Sequence, residues 1–172
     1  MINAKTILQN AYMVNDIDAA IERWHTTFGI GPFFLTRHVP VENPEYRGEA
    51  SPLDFSVAIA QAGDVQVELV QQHCDSPSCF RDMYAPGREG LHHIAVFADD
   101  YDAELARYEA MGVPVVTSGR FGGSRFCYVD ARSPLGLFIE ILEENAGIRK
   151  FFAKIRSAAD DPAWAGKAVY GR

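Results

Sequence analysis

Ile7-Leu8-Gln9-Asn10-Ala11-Tyr12-Met13-Val14-Asn15-Asp16-Ile17-Asp18-Ala19 and Leu91-His92-His93-Ile94-Ala95-Val96-Phe97-Ala98-Asp99-Asp100-Tyr101-Asp102-Ala103 are two versions of one pattern. Each is an apolar strand-like run followed by Asp-x-Asp-Ala. Gln9 falls opposite His93, Asp16 opposite Asp100, Asp18 opposite Asp102, Arg23 opposite Arg107 and Trp24 opposite Tyr108. Such self-similarity means two copies of one supersecondary unit, stacked to bury faces that neither buries alone. The aspartates suit helix starts, where a carboxylate accepts hydrogen bonds from free backbone N–H groups and meets the positive end of the dipole. Behind them Ile17, Ile21, Trp24 and Phe28, and then Tyr101, Leu105, Tyr108 and Met111, recur at helical spacing. Each set predicts one apolar stripe docked on a sheet. Gly29 and Gly112 mark the helix ends, where a left-handed cap favours glycine.

After each helix come three strand-like runs: 33–39, 54–61 and 65–71 in the first copy, 113–117, 125–130 and 137–142 in the second. Each copy therefore reads β-α-β-β-β. The prediction is an α+β chain of one domain, with module one over about 6–72, a linker over 73–90 and module two over about 91–144. The first copy carries an extra segment from Pro40 to Leu53, whose Pro40, Pro44, Gly48 and Pro52 mark a loop. In the tail, 145–172, the run 148–155 has the pattern of an amphipathic helix that either caps the fold or pairs with a second subunit; a homodimer is one expectation.

Side chains on a strand alternate between faces. Alternation puts Gln9 with Ile7, Ala11 and Met13, Glu68 with Gln66 and Val70, His93 with Leu91, Ala95 and Phe97, and Glu140 with Phe138 and Leu142. His92 falls on the opposite face and reads as structural. Two carboxylates thus stand mid-strand among apolar residues at matching places in two copies. A lone glutamate in a strand is usually a solvated edge residue, but one that recurs in the same interior slot needs a compensating partner. A metal ion is the natural one, and the carboxamide of Gln9 and the imidazole of His93 are further ligand types. The alternative for His93 is a hydrogen-bonded core histidine.

The net charge of −7 and the absence of a Lys/Arg cluster argue against nucleic-acid binding. No apolar run approaches the roughly 20 residues that span a bilayer, and the first residues lack the basic and apolar regions of a signal peptide. The expectation is a cytoplasmic protein with no membrane partner. Cys74, Cys79 and Cys127 are too few for a disulfide framework. His73, Cys74 and Cys79 lie close in one loop, but a structural zinc site wants four ligands; ordinary loop cysteines are the plainer reading. No GxSxG, P-loop or GxGxxG motif occurs, and Gly29-Ile30-Gly31-Pro32 reads as a turn. Trp24, Phe28, Phe33 and Phe34 read as core.

The segments 90–102 and Ser133-Pro134-Leu135-Gly136-Leu137-Phe138-Ile139-Glu140, with the doubled module, resemble the vicinal oxygen chelate superfamily, which includes glyoxalase I, methylmalonyl-CoA epimerase, extradiol dioxygenases and bleomycin resistance proteins. The resemblance runs from about Thr6 to Glu144 and implies paired βαβββ modules curled into an open mixed barrel around a metal. Carried over, the ligands are Gln9, Glu68, His93 and Glu140, like the set of some glyoxalase I enzymes, whereas the Gly122-Gly123 loop looks more epimerase-like. This donor set implies one divalent ion, from Mn, Co, Ni, Fe or Zn, with two adjacent positions open to a small-molecule substrate with vicinal oxygens. The implied activity is a metal-dependent isomerase or epimerase, or a glyoxalase-type lyase, working through a stabilised enolate. Glu140 is the expected base and Glu68 its counterpart; Glu42, Glu45 and Glu49 are weaker acid/base candidates. Met13, Phe97, Phe126 and Phe138 are candidate substrate-binding residues for an apolar part. Arg125, with Arg37, Arg47 and Arg120, is a candidate for an anionic group. Alternatives are an extradiol-type dioxygenase, whose iron takes two His and one carboxylate, and a non-catalytic, antibiotic-sequestering binding protein.

Overall fold

The computed structural model describes residues 5–171. Its elements run β1 (Gln9–Met13), α1 (Ile17–Phe28), β2 (Phe34–Thr36), β3 (Glu42–Tyr46), β4 (Glu49–Ala50), β5 (Phe55–Ala62), β6 (Val65–Gln72), α2 (Cys79–Met83), β7 (Gly90–Ala98), α3 (Tyr101–Ala110), β8 (Val115–Phe121), β9 (Ser124–Val129), α4 (Arg132–Leu135), β10 (Phe138–Glu143) and α5 (Ala146–Ala159). The helix starts follow the expected chemistry. Asp16 accepts from the Ala19 N–H and Asp100 from the Ala103 N–H, each at 3.0 Å. Gly29 ends α1 in the left-handed region at φ 70°.

All ten strands join one mixed sheet in the order β2-β5-β6-β1-β7-β10-β9-β8-β3-β4. Within each module the first strand pairs in parallel with the last, β1 with β6 and β7 with β10. The modules meet where β1 and β7 pair antiparallel. The sheet curls into a half-barrel, with strands of both modules around one cavity. On its outer face α1 packs over Ala58, Ala60, Val67 and Leu69 through Ile17, Ala20 and Ile21, and α3 packs over Val129, Ile139 and Ile141 through Tyr101 and Tyr108.

Three expectations need correction. The segment from Pro40 to Leu53 is a hairpin, β3–β4, whose β3 pairs with β8, so an insertion in module one lengthens the sheet at the edge of module two. A Cβ on Gly119 in β8 would lie 2.6 Å from Val41 Cγ1, so the close approach of the insert requires glycine there. Phe28, read as core, is 71% exposed, because it lies past the last turn of α1 that touches the sheet. His92 does not face away from His93: the β1–β7 register passes from Ala11↔His93 to Tyr12↔Leu91, leaving His92 bulged out of the ladder. A bulge breaks the two-residue alternation, and both histidines are fully buried.

Of the two roles left open for the tail helix, the structure shows capping. α5 lies across β5, with Ile155 buried against Phe34 and Ile59, while Ile148, Phe151 and Phe152 form one wall of the cavity. Removing a fully buried aliphatic side chain costs transfer energy plus a cavity. Ile155→Ala is therefore expected to lower stability by about 2–5 kcal/mol, read as a lower denaturant midpoint at unchanged slope. No helix among the described residues is long and apolar enough to cross a membrane.

Candidate metal centre

The four residues singled out in the sequence come from β1, β6, β7 and β10, four neighbouring strands in the order β6-β1-β7-β10. Alternation turns Gln9, Glu68 and Glu140 to the concave face, where they line a cavity of about 310 Å³. His93 lies beneath them, fully buried. Its Nε2 is 3.2 Å from Glu68 Oε2 and 3.6 Å from Glu140 Oε2. Donor atoms of Glu68, His93 and Glu140 all fall within 4.8 Å of one another. Gln9 donates its Nε2 to Gln66 Oε1 at 3.2 Å, which leaves its own Oε1 as the atom suited to a cation.

The bulged His92 fixes the state of His93. His92 Nε2 lies 3.0 Å from the Cys79 carbonyl, and a carbonyl only accepts, so Nε2 carries the proton. His92 Nδ1 is then bare and accepts the Nδ1–H of His93 at 2.9 Å. That relay leaves His93 Nε2 as the nitrogen aimed at the two carboxylates, the tautomer of a metal ligand with its other N–H held by an outer partner. Burial and the His93 charge push the His92 imidazole well below its usual range, consistent with its staying neutral. Its ring stacks on Phe138 at 4.9 Å. His92→Phe keeps that stack but removes the acceptor. We expect the fold to survive and metal affinity to fall about 10- to 100-fold, measured by competition with a chelator; unchanged affinity would contradict the relay.

The electrostatics of the site suit a cation. Burial lowers the His93 imidazole, but hydrogen bonds and charge from Glu140 and Glu68 outweigh it and hold it up at about 9. Burial raises Glu68, against its hydrogen bond to His93 and with the charge of Glu140. Burial and the same two carboxylates push the Tyr128 phenol well up. Two buried carboxylates converging on one imidazole nitrogen are compensated by a proton on that nitrogen, or by a divalent ion in its place. The donor set, three oxygens and one nitrogen with Gln9, fits a borderline divalent ion. It has one histidine among the candidate donors, unlike the two-histidine sites of extradiol-type iron centres.

Tyr128 and Gln66 were not singled out from the sequence. Tyr128 lies opposite Glu140 in the ladder, and its ring is edge-on to His93 at 5.0 Å. Both were within reach of alternation: Tyr128 is two residues past Phe126 and Gln66 two before Glu68. Of the candidate substrate-binding residues, Phe126 and Arg125 line the cavity. Met13 and Phe138 instead fill the core cluster beneath it, and Phe97 stands one layer back against Phe152 at 5.4 Å. Arg125 is held by Asp102 and Glu143, each at 2.7 Å. Arg37 pairs with Asp18 and Arg47 with Asp82, while Arg120 reaches the Gly123 carbonyl. Glu42, Glu45 and Glu49 are exposed on the insert hairpin and do not line the cavity. Cys79 is buried and Cys74 bonds the Asp54 N–H, so the loop cysteines form no cluster with His73.

Two tandem modules, one shared half-barrel and buried oxygen and imidazole donors on neighbouring strands define a chelate-type barrel. The chain belongs to the Glyoxalase/Bleomycin resistance protein/Dioxygenase superfamily, whose family model matches residues 8–128. Among solved structures it is similar to a methylmalonyl-CoA epimerase in complex with methylmalonyl-CoA and NH4+, at 23% identity and TM-score 0.56 over 84% of this chain and 97% of that one. A methylmalonyl-CoA epimerase from Mycobacterium tuberculosis matches at 19% identity and TM-score 0.56, over 87% of this chain and 97% of that one. A hypothetical protein, BH1468, from Bacillus halodurans C-125 matches at 17% identity and TM-score 0.59, over 83% and 96%. No curated protein gave a match.

Proposed function

We propose that the protein is a divalent-metal-dependent isomerase or epimerase that moves a proton at the carbon beside a carbonyl, in a small substrate with two neighbouring oxygens. One observation carries this reading: Glu68 and Glu140 flank the same buried imidazole nitrogen, at 3.2 and 3.6 Å, in the lining of a largely apolar cavity. Gln9, Glu68, His93 and Glu140 would hold the ion, which supplies Lewis-acid stabilisation of an enolate oxygen. Glu140 removes the proton and keeps it, and Glu68, which burial favours in the protonated form, gives its own proton to the carbon and is left as the carboxylate. Epimerisation needs a proton-transfer group on each face of the substrate, and a carboxylate near the operating pH suits both steps. A glyoxalase-type lyase would use the same groups. The similarity of the fold to methylmalonyl-CoA epimerases supports the isomerase form.

The cavity narrows the substrate. Val39, Phe55, Val57, Ile59, Phe121, Phe126 and Leu142 line it, with the three α5 residues. Among the described residues Arg125 is the one cationic side chain in the lining, and two carboxylates already hold it. The pocket therefore suits an apolar substrate body and offers no free cation to a peptide carboxylate such as that of glutathione. The test is deuterium incorporation in D2O, followed by NMR, on methylmalonyl-CoA and on short aryl and alkyl α-hydroxy- and α-ketocarbonyl compounds, with metal added. Exchange at the α-carbon of one of them is the expected result. Metal bound with no exchange on any would favour a binding protein.

A further inference from the structure

On the outer face of the sheet, three side chains far apart in sequence converge. His38 follows β2, Asp54 precedes β5 and His73 follows β6. One donor atom from each lies within 4.8 Å of the others. His38 Nδ1 is 2.7 Å from Asp54 Oδ1, and the two imidazole rings lie 4.7 Å apart. Both histidines are tied to one fully buried hydroxyl. Ser56 Oγ contacts His73 Nε2 at 2.7 Å and accepts the His38 backbone N–H at 3.1 Å. The His73 N–H also bonds the Asp54 carbonyl, at 2.8 Å. His38 itself sits in the left-handed region at φ 48°, a conformation rare for a side-chain-bearing residue and usually held by its surroundings.

We propose that His38, Asp54 and His73 form a second divalent-metal site, suited to Zn2+, that is independent of the barrel centre. Two imidazoles and one carboxylate are a zinc donor set, with water completing a tetrahedron at an exposed position. Ser56, on the His73 ring and the His38 backbone, is the kind of outer partner that holds a ligand ring and its neighbouring loop in place. The sheet separates the two sites: Phe55 and Val57 line the cavity, and Ser56 between them points to the other face. The role that follows from position is structural. His38 and Asp54 stand at the two roots of the insert that carries β3 to β8, so zinc bound there clips the base of the hairpin that joins the modules across the sheet's edge.

The test is zinc stoichiometry by equilibrium dialysis and elemental analysis, with thermal unfolding in the presence and absence of Zn2+, on the full chain, on His73→Ala and on Glu140→Ala. We expect His73→Ala to bind one zinc fewer than the wild type, with the barrel centre still loaded. In Glu140→Ala, Zn2+ should still raise the unfolding temperature, and His73→Ala added to that background should remove the shift. Asp54→Asn, which keeps the packing and removes the charge, should weaken this binding too and guards against a folding defect in His73→Ala. Equal stoichiometry and equal zinc-induced shifts in the wild type, His73→Ala and Asp54→Asn would overturn the site and leave a hydrogen-bonded cluster only. Failure of the barrel-centre reading is distinct: it would appear as no loss of metal in Glu140→Ala.

Discussion

Replacing Glu140 with Gln is expected to lower α-proton exchange by about 100- to 10,000-fold, the usual worth of a positioned general base, while the protein stays folded and retains its metal. Glu140 lines the cavity and faces Tyr128 across β9 and β10. The amide matches the carboxylate in size and keeps an oxygen donor, so the packing and one ligand contact survive while the proton acceptor is lost. Exchange followed by NMR in D2O, beside metal content on the same sample, separates the two roles. Full exchange in the variant would remove Glu140 as the base. Loss of exchange together with loss of metal would make it a ligand first.

His93→Ala is expected to have the larger effect on the protein itself. The variant leaves Glu68 and Glu140 buried without the cation between them, a loss of about 3–5 kcal/mol for removal of one partner of a buried charged set. Metal at the barrel centre should be lost with it. The metal-free wild type carries the matching pH signature. The folded His93 titrates at about 9, above the roughly 6.5 of the unfolded chain. A raised folded value stabilises fully below the unfolded value, and that stability is lost as pH rises through the folded one. The raised Glu68 acts in the same direction. Apo protein should therefore lose thermal stability between about pH 6.5 and 9, by an amount on the order of 3 kcal/mol. Saturating metal, which takes the place of the proton, should flatten that slope. A metal-free protein with no pH dependence in this window would contradict the imidazolium between two carboxylates.

The repeat made the two modules, the capped helix starts and the inward faces of Gln9, Glu68 and Glu140 legible, because alternation and helical spacing are local properties. The structure brings Glu68, Glu140 and His93 together, with Gln9 in the same cavity lining as the two carboxylates. What was not legible depended on non-local pairing. The bulge at His92 shifts the phase of β7 by one residue, and nothing within the strand announces it; the relay from Cys79 through His92 to His93 was therefore invisible. The insert reads as a loop by its prolines and glycine, yet it becomes a hairpin because β8 offers it a free edge. The pattern of α5 told that it is a helix, but not that its apolar face closes the cavity over Ile59. His38, Asp54 and His73 share no motif; only the pairing of β5 with β6, and of β2 with β5, brings their loops together.

The central claim is that a divalent ion sits among Gln9, Glu68, His93 and Glu140. Elemental analysis by mass spectrometry tests it most directly, on protein purified without a metal-chelating tag and compared with His93→Ala prepared in parallel. The account predicts that the wild type carries one more equivalent of divalent metal per chain than the variant, and that the difference names the ion. Equal metal content in the two, before and after reconstitution, would contradict it and move the reading to a binding protein.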